Sequence, residues 1–179
     1  IKNGRIVTAD ADYSADIFIE GETISTIGKN LKVNADTVID ATGKLVLPGG
    51  IDPHVHLDMP FMGTFSSDNY ETGTRAALFG GTTTGIGCIL QKQGSTLQSA
   101  LEEWRGRSNG NCVGDYSFHM AVTDFNEETK KEIQQFIEQE GITSFKTFMA
   151  YKGALMIDDR QMIGLMEEVK KQGGLINVH

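Results

Sequence analysis

Over the first 47 residues, short runs of β-branched and aromatic side chains are broken every few positions by Gly, Asp or Asn. Three of these runs read as strands: Arg5-Ile6-Val7-Thr8, Asp16-Ile17-Phe18-Ile19-Glu20 and Thr23-Ile24-Ser25-Thr26-Ile27. Glu20-Gly21-Glu22 supplies a hairpin turn between the last two, and Thr37-Val38-Ile39-Asp40 and Lys44-Leu45-Val46-Leu47 continue the series. The pattern predicts a small antiparallel β module over 1–47, in which no residue suggests chemistry.

From Pro48 onward, apolar strand runs alternate with stripes of helical spacing, which implies βαβ units and a parallel sheet over 48–179. Asp68 is placed to cap a helix through Leu78, closed by Gly80-Gly81, and Thr82 to Leu90 follows as a strand. Ser95 or Thr96 opens a second helix with Leu97, Ala100, Leu101 and Trp104 inward, before the strand Tyr116 to Val122. Asn126 caps a charged helix through Glu140, stopped by Gly141, and Ser144-Phe145-Lys146-Thr147-Phe148 is the next strand. Asp158 starts a last helix with Met162, Leu165, Met166 and Val169 inward, and Leu175 to His179 forms a fifth strand. Five parallel strands with right-handed crossovers fit either an open sheet or the first part of a (β/α)₈ barrel.

Candidate chemistry gathers where these strands end. In Pro48-Gly49-Gly50-Ile51-Asp52-Pro53-His54-Val55-His56, strand alternation turns His54 and His56 to one side and Val55 to the other. Two imidazoles that close can share a divalent ion, or can be hydrogen-bonded in a polar cavity without one. Lys146 lies within the fourth strand and His179 at the end of the fifth, so four candidate ligands converge on the C-terminal rim, where barrels carry their active sites. His119, in the third strand among apolar neighbours, fits a hydrogen-bonded core histidine or a group supporting the site from behind.

Lys146 is flanked by Phe145 and Phe148, and an ammonium there is costly to bury. Three readings follow. The ammonium reaches the barrel mouth or pairs with a carboxylate; a neutral amine forms a Schiff base with a carbonyl substrate; or a neutral amine takes up CO₂ and becomes a carbamate whose two oxygens bridge two metals about 3.5–4 Å apart. Only the third accounts for three histidines at the same rim.

Composition narrows the partners. The chain has 179 residues, 22% of them charged, and a net charge of −8, which argues against nucleic acid or an anionic membrane surface as partner. Cys88 and Cys112 form no disulfide framework, no run of about 18 apolar residues exists to span a bilayer, and nothing resembles a signal peptide. A reducing, cytoplasmic compartment is the expectation. The chain begins at Ile1 and stops at His179 directly after a strand, and reads as part of something longer.

Three stretches carry a resemblance to a known family: Pro48 to Pro60, Gly80-Gly81-Thr82-Thr83, and Gly141-Ile142-Thr143-Ser144-Phe145-Lys146-Thr147-Phe148-Met149-Ala150-Tyr151-Lys152. They resemble the dihydropyrimidinase and D-hydantoinase branch of the cyclic amidohydrolases. That resemblance implies a metal-dependent (β/α)₈ barrel of which 48–179 supplies the first five strands, with a β-sandwich built from both chain ends of which 1–47 is the N-terminal part. It implies a homotetramer opening a cyclic ureide to an N-carbamoyl amino acid. By the same resemblance His54 and His56 bind the more buried of two divalent ions (zinc, with manganese or cobalt as alternatives), Lys146 is N6-carboxylated by CO₂ and bridges them, and His179 holds the second.

Tyr151 would donate its phenol to the oxyanion, and a metal-bridging water, acidified towards neutral pH, would be the nucleophile. Away from the motif, Tyr151 reads equally as a tyrosine packed at a loop start. Phe61 and Phe148 would wall the substituent on the substrate ring, although aromatics at strand ends are commonly core.

Two departures and two alternatives accompany the resemblance. The family draws a further histidine from the sixth strand and an aspartate from the eighth, beyond His179, and relatives are expected to carry bulkier residues and an Asp where this chain has Gly85 to Gln91. One alternative is a relative acting on allantoin or dihydroorotate. The other is a non-catalytic scaffold similar to the collapsin response mediator proteins, which lack the metal-binding histidines.

Overall fold

The computed structural model describes residues 1–61 and 63–179. Contacts divide the chain into two units, Ile1–Gly49 and Gly50–His179. The first holds β1 (Gly4–Val7), β2 (Asp12–Glu20), β3 (Thr23–Gly28) and β4 (Leu45–Val46) in one sheet of order β3-β2-β1-β4. β1, β2 and β3 are antiparallel neighbours, and Gly21, at φ 60°, makes the turn from β2 to β3.

Two expectations for this unit need correction. β4 runs parallel to β1, so the series is mixed and not purely antiparallel. Thr37 to Asp40 is no strand, because only Asp40 bridges to Lys2. The Asp40 carboxylate accepts instead from the Asn3 amide and from the backbone and hydroxyl of Thr42, which bends the chain away. Val38 and Ile39 are left exposed, so their β-propensity finds no partner strand.

The second unit opens with β5 (Gly50–Val55) and the short hairpin β6 (Pro60–Phe61) and β7 (Thr64–Phe65). It then alternates α1 (Tyr70–Phe79), β8 (Thr82–Leu90), α2 (Leu97–Ser108), β9 (Asp115–Ala121), α3 (Glu127–Gln135), β10 (Ser144–Thr147), α4 (Asp159–Lys171) and β11 (Leu175–Val178). β5, β8, β9, β10 and β11 form a curled parallel sheet in chain order, each strand joining beside its predecessor. This is the first part of a (β/α)₈ barrel, with four helices on one face of the sheet.

The main core lies between sheet and helices. Leu97, Leu101 and Trp104 of α2, Ile133 of α3 and Leu165 and Val169 of α4 meet Ile89, Met120 and Phe145 from the strands. A smaller cluster of Cys88, Ala121 and Phe148 fills the opposite face. α1 approaches the segment after β5 so closely that a Cβ on Gly73 would stand 2.3 Å from Leu57 Cδ2.

Helix ends follow side-chain chemistry, with two differences from expectation. Asn69, not Asp68, caps α1: its side chain accepts from Thr72 N–H, while the Thr72 hydroxyl takes the Asn69 N–H. Asn caps as well as Asp, and Asp68 is engaged one step earlier by the Thr72 hydroxyl. Thr96, Asn126 and Asp158 cap α2, α3 and α4. The helix begun by Asn126 widens after Gln135 into a π-helical segment, Phe136–Glu140, before Gly141 closes it at φ 69°. At the start of α2, the carboxylate of Glu132 on α3 accepts the N–H groups of Leu97 and Gln98. An anion there complements the positive helix terminus and ties two neighbouring helices together.

Candidate active site

β5 breaks its own register where it delivers the histidines. It pairs Asp52 with Gly85 and Val55 with Gly87, three residues forward against two, so Pro53 and His54 sit in a bulge. Proline has no N–H to give to a ladder and is tolerated at such a place. His54 and His56 still point to one side: their Nε2 atoms are 3.0 Å apart and their rings meet edge to face at 4.9 Å. Two nitrogens this close require that at least one carry a lone pair. Burial, and after it the positive charge of Lys146, holds His54 below the usual imidazole range, and burial followed by His54 does the same for His56. Neutral imidazole is the form that ligates a metal.

Lys146 comes from β10 and is buried, at 9% exposure. Its Nζ lies 3.4 Å from His54 Nε2 and 5.3 Å from the centre of the Phe148 ring. Among the described residues it forms no ion pair with a carboxylate. His179 follows β11, held by its N–H to Thr147 and its carbonyl to Met149 N–H. Its ring stacks on Tyr151 at 5.5 Å and packs against Phe148 at 5.6 Å.

Tyr151 stands just past β10 with φ 64°, a left-handed conformation that a bulky aromatic adopts only under constraint. The constraint is a turn in which its carbonyl accepts N–H groups from Ala154, Leu155 and Met156. Phe61 and Phe148 flank it edge to face at 5.9 and 6.0 Å. His54, His56, Lys146, His179, Tyr151, Phe61 and Phe148 thus line one cavity of about 420 Å³. The seven positions that the resemblance assigned to the site meet there, while His119 does not line this cavity.

The cavity also includes Met59, Thr64, Phe65, Ser66, Cys88 and Leu155, which the sequence alone did not single out. A signal existed for Phe65: Gly63, a turn residue between Phe61 and Phe65, marks the β6–β7 hairpin that carries it. Arg107 braces that hairpin from behind. It donates to the backbone carbonyl of Asp58, at φ 47°, and its guanidinium lies over Phe65 and Trp104.

Cys88 is 4% exposed, and burial pushes its thiol up to about 11. At pH 8 it is therefore almost wholly protonated. Alkylation by iodoacetamide in the native state is expected at Cys112, which is partly exposed, well before Cys88. Peptide mapping of the labelled protein checks the order, and Cys88 labelling at an equal rate would contradict this burial.

The arrangement is chemically incomplete as four neutral or cationic nitrogens. Among the described residues no three His, Cys, Asp or Glu side chains group closely enough to hold a metal ion by themselves. A carbamate on Lys146 would add two anionic oxygens beside the histidines, and a buried lysine amine with no acidic partner among the described residues is the group that can be so converted. The residues present therefore fit a metal centre built on a carboxylated Lys146.

Residues 45–179 match the Amidohydrolase family. The D-hydantoinase of Geobacillus stearothermophilus is 48% identical over 179 residues, and the dihydropyrimidinase of Rattus norvegicus 41% identical over 184. Each match covers all of this chain but only 38% and 36% of the relative. The crystal structure of dihydropyrimidinase from Brevibacillus agri superposes with a TM-score of 0.97 at 48% identity, over 99% of this chain and 39% of that one. The chain thus spans less than two fifths of the length of these relatives. With the three sequence motifs set on a curled parallel sheet and this likeness running through both units, the chain belongs to the amidohydrolase family, in its dihydropyrimidinase and D-hydantoinase branch.

Proposed function

We propose that the protein hydrolyses the cyclic amide bond of a dihydropyrimidine or 5-substituted hydantoin, giving an N-carbamoyl amino acid. The observation that carries this reading is the convergence of His54, His56 and a buried Lys146, with no carboxylate partner among the described residues, on one wall of an apolar cavity. Relatives named D-hydantoinase and dihydropyrimidinase support it.

His54, His56, carboxylated Lys146 and His179 would hold two divalent ions, zinc, manganese or cobalt by their donor set. Those ions supply Lewis acidity for the ring carbonyl and an acidified water. Lys146 would acquire its oxygens when its neutral amine attacks CO₂: an N–C bond forms, the electrons of one C=O π bond move to oxygen to give a carboxylate, and one of the two amine N–H protons passes to solvent. Tyr151 donates its O–H to the carbonyl oxygen as negative charge develops there. Phe61 and Phe148 take the ring substituent, with Met59, Phe65 and Leu155 excluding water around it.

Turnover by the full-length protein, prepared with bicarbonate and a divalent metal, is the test. Dihydrouracil and 5-substituted hydantoins are expected to open, with the N-carbamoyl product seen by mass spectrometry. Turnover of dihydroorotate or allantoin alone would overturn the choice of substrate.

A further inference from the structure

His119 lies on β9, in register with Cys88 of β8, and both of its ring nitrogens are engaged. Nε2 is 2.7 Å from the carbonyl oxygen of Pro53, and Nδ1 meets the hydroxyl of Ser144. A carbonyl can only accept, so Nε2 carries the hydrogen, while Nδ1 is engaged by the Ser144 hydroxyl. Both nitrogens are thus occupied, and no lone pair is free for a metal.

The two partners are the informative part. Pro53 belongs to the bulge of β5, where it has no register partner on β8. The peptide unit from Pro53 to His54 is therefore held at both ends by side chains: His119 donates to its C=O, and Asp52 Oδ1 accepts its N–H at 3.1 Å. That unit sets the direction in which the His54 side chain leaves the backbone. Ser144, two residues before Lys146 on β10, presents its side chain to the same face as Lys146. One imidazole thus connects β5, which carries His54, to β10, which carries Lys146, although β8 and β9 lie between them in the sheet.

We propose that His119 is a positioning residue that fixes the relative placement of His54 and Lys146, and through it the affinity and geometry of the metal centre. This rests on the metal-dependent reading above. The mechanism is steric and directional: without the donor at Nε2, the Pro53 carbonyl loses the side chain that holds it and the bulge can rotate. His54 then loses its aim toward Lys146.

The test is metal binding by the full-length protein, separate from turnover. Affinity is measured by competition with a chelator, and cobalt(II) absorption reports ligand geometry. His119→Ala is expected to weaken metal binding by about 10–100-fold, the usual cost of losing a group that orients a ligand, and to change the cobalt spectrum. His119→Gln, whose amide nitrogen can reach the Pro53 carbonyl, is expected to recover most of the affinity. A purely structural role would not separate the two.

If His119→Ala does not fold, Ser144→Ala carries the test. It removes the hydroxyl that holds Nδ1 and is expected to weaken binding in the same direction by a smaller factor. Unchanged affinity and an unchanged cobalt spectrum in either folded variant, with wild type binding metal, overturn the proposal alone. A wild-type protein that binds no metal overturns the metal reading and this proposal with it.

Discussion

Lys146→Ala in the full-length protein is expected to lower bound metal well below the about two equivalents of a binuclear site and to cut turnover by at least about 10³-fold, which at 1.36 kcal/mol per tenfold is about 4 kcal/mol of barrier. The reason lies in what surrounds Nζ. It is nearly enclosed, it faces His54 and the Phe148 ring, and among the described residues it has no acid to neutralise it. An ammonium left there would repel any cation brought to His54. A carbamate at the same place reverses the sign of that interaction.

Lys146→Arg separates the readings of this residue. Arginine keeps the positive charge but is never neutral in a protein, so it cannot take up CO₂. If Lys146 acts as a cation, Lys146→Arg retains a large part of the activity; if it acts as a carbamate, Lys146→Arg is as inactive as Lys146→Ala and equally poor in metal. The Schiff-base reading has its own signature, a covalent adduct trapped by borohydride in the presence of substrate. Retention of activity and metal by Lys146→Ala would remove the carbamate idea altogether.

What the sequence disclosed followed the reach of each interaction. His54 and His56 share a side because period-2 alternation is local, and the bulge at Pro53 and His54 did not spoil it. The helix caps at Thr96, Asn126 and Asp158 were legible because a cap acts within three residues. Lys146, His179 and Tyr151 fall together because each lies at or just beyond the C-terminal end of an adjacent strand, a consequence of parallel topology.

Interactions across the fold stayed hidden. Nothing near His119 indicates a bond to Pro53, 66 residues away, so the choice between a core histidine and a supporting one needed the packed sheet. Arg107 reaches Asp58 across 49 residues in the same way. Gln91 lies in the segment that departs from the pattern expected of relatives, and it is buried. Its amide oxygen accepts from the backbones of Thr123 and Asp124 while its nitrogen donates to Ser95, tying the loops after β8 and β9 together. The same limit explains the N-terminal unit: β-propensity is clear at Thr37 to Asp40, but a strand needs a neighbour, and the Asp40 carboxylate was committed to a turn.

Tyr151→Phe is expected to lower kcat by about 10²–10³-fold, the loss typical of one oxyanion donor, while metal content and thermal stability stay at wild-type values. The substitution is informative because it removes a single atom. The ring that stacks on His179 and meets Phe61 and Phe148 is retained, and so is the turn gathered on the Tyr151 carbonyl. The left-handed backbone is also unchanged, since phenylalanine is no easier to place at φ 64° than tyrosine. Any loss in rate therefore belongs to the O–H. A conformation this unfavourable for an aromatic residue costs about 1–3 kcal/mol and is kept only where surrounding structure enforces it, and here it directs a phenol into the cavity beside His179. A drop of less than about tenfold would remove Tyr151 from the oxyanion role and leave it as the aromatic wall between Phe61 and His179. A loss of metal in the same variant would point elsewhere, to the stacked His179 ring as the group Tyr151 serves.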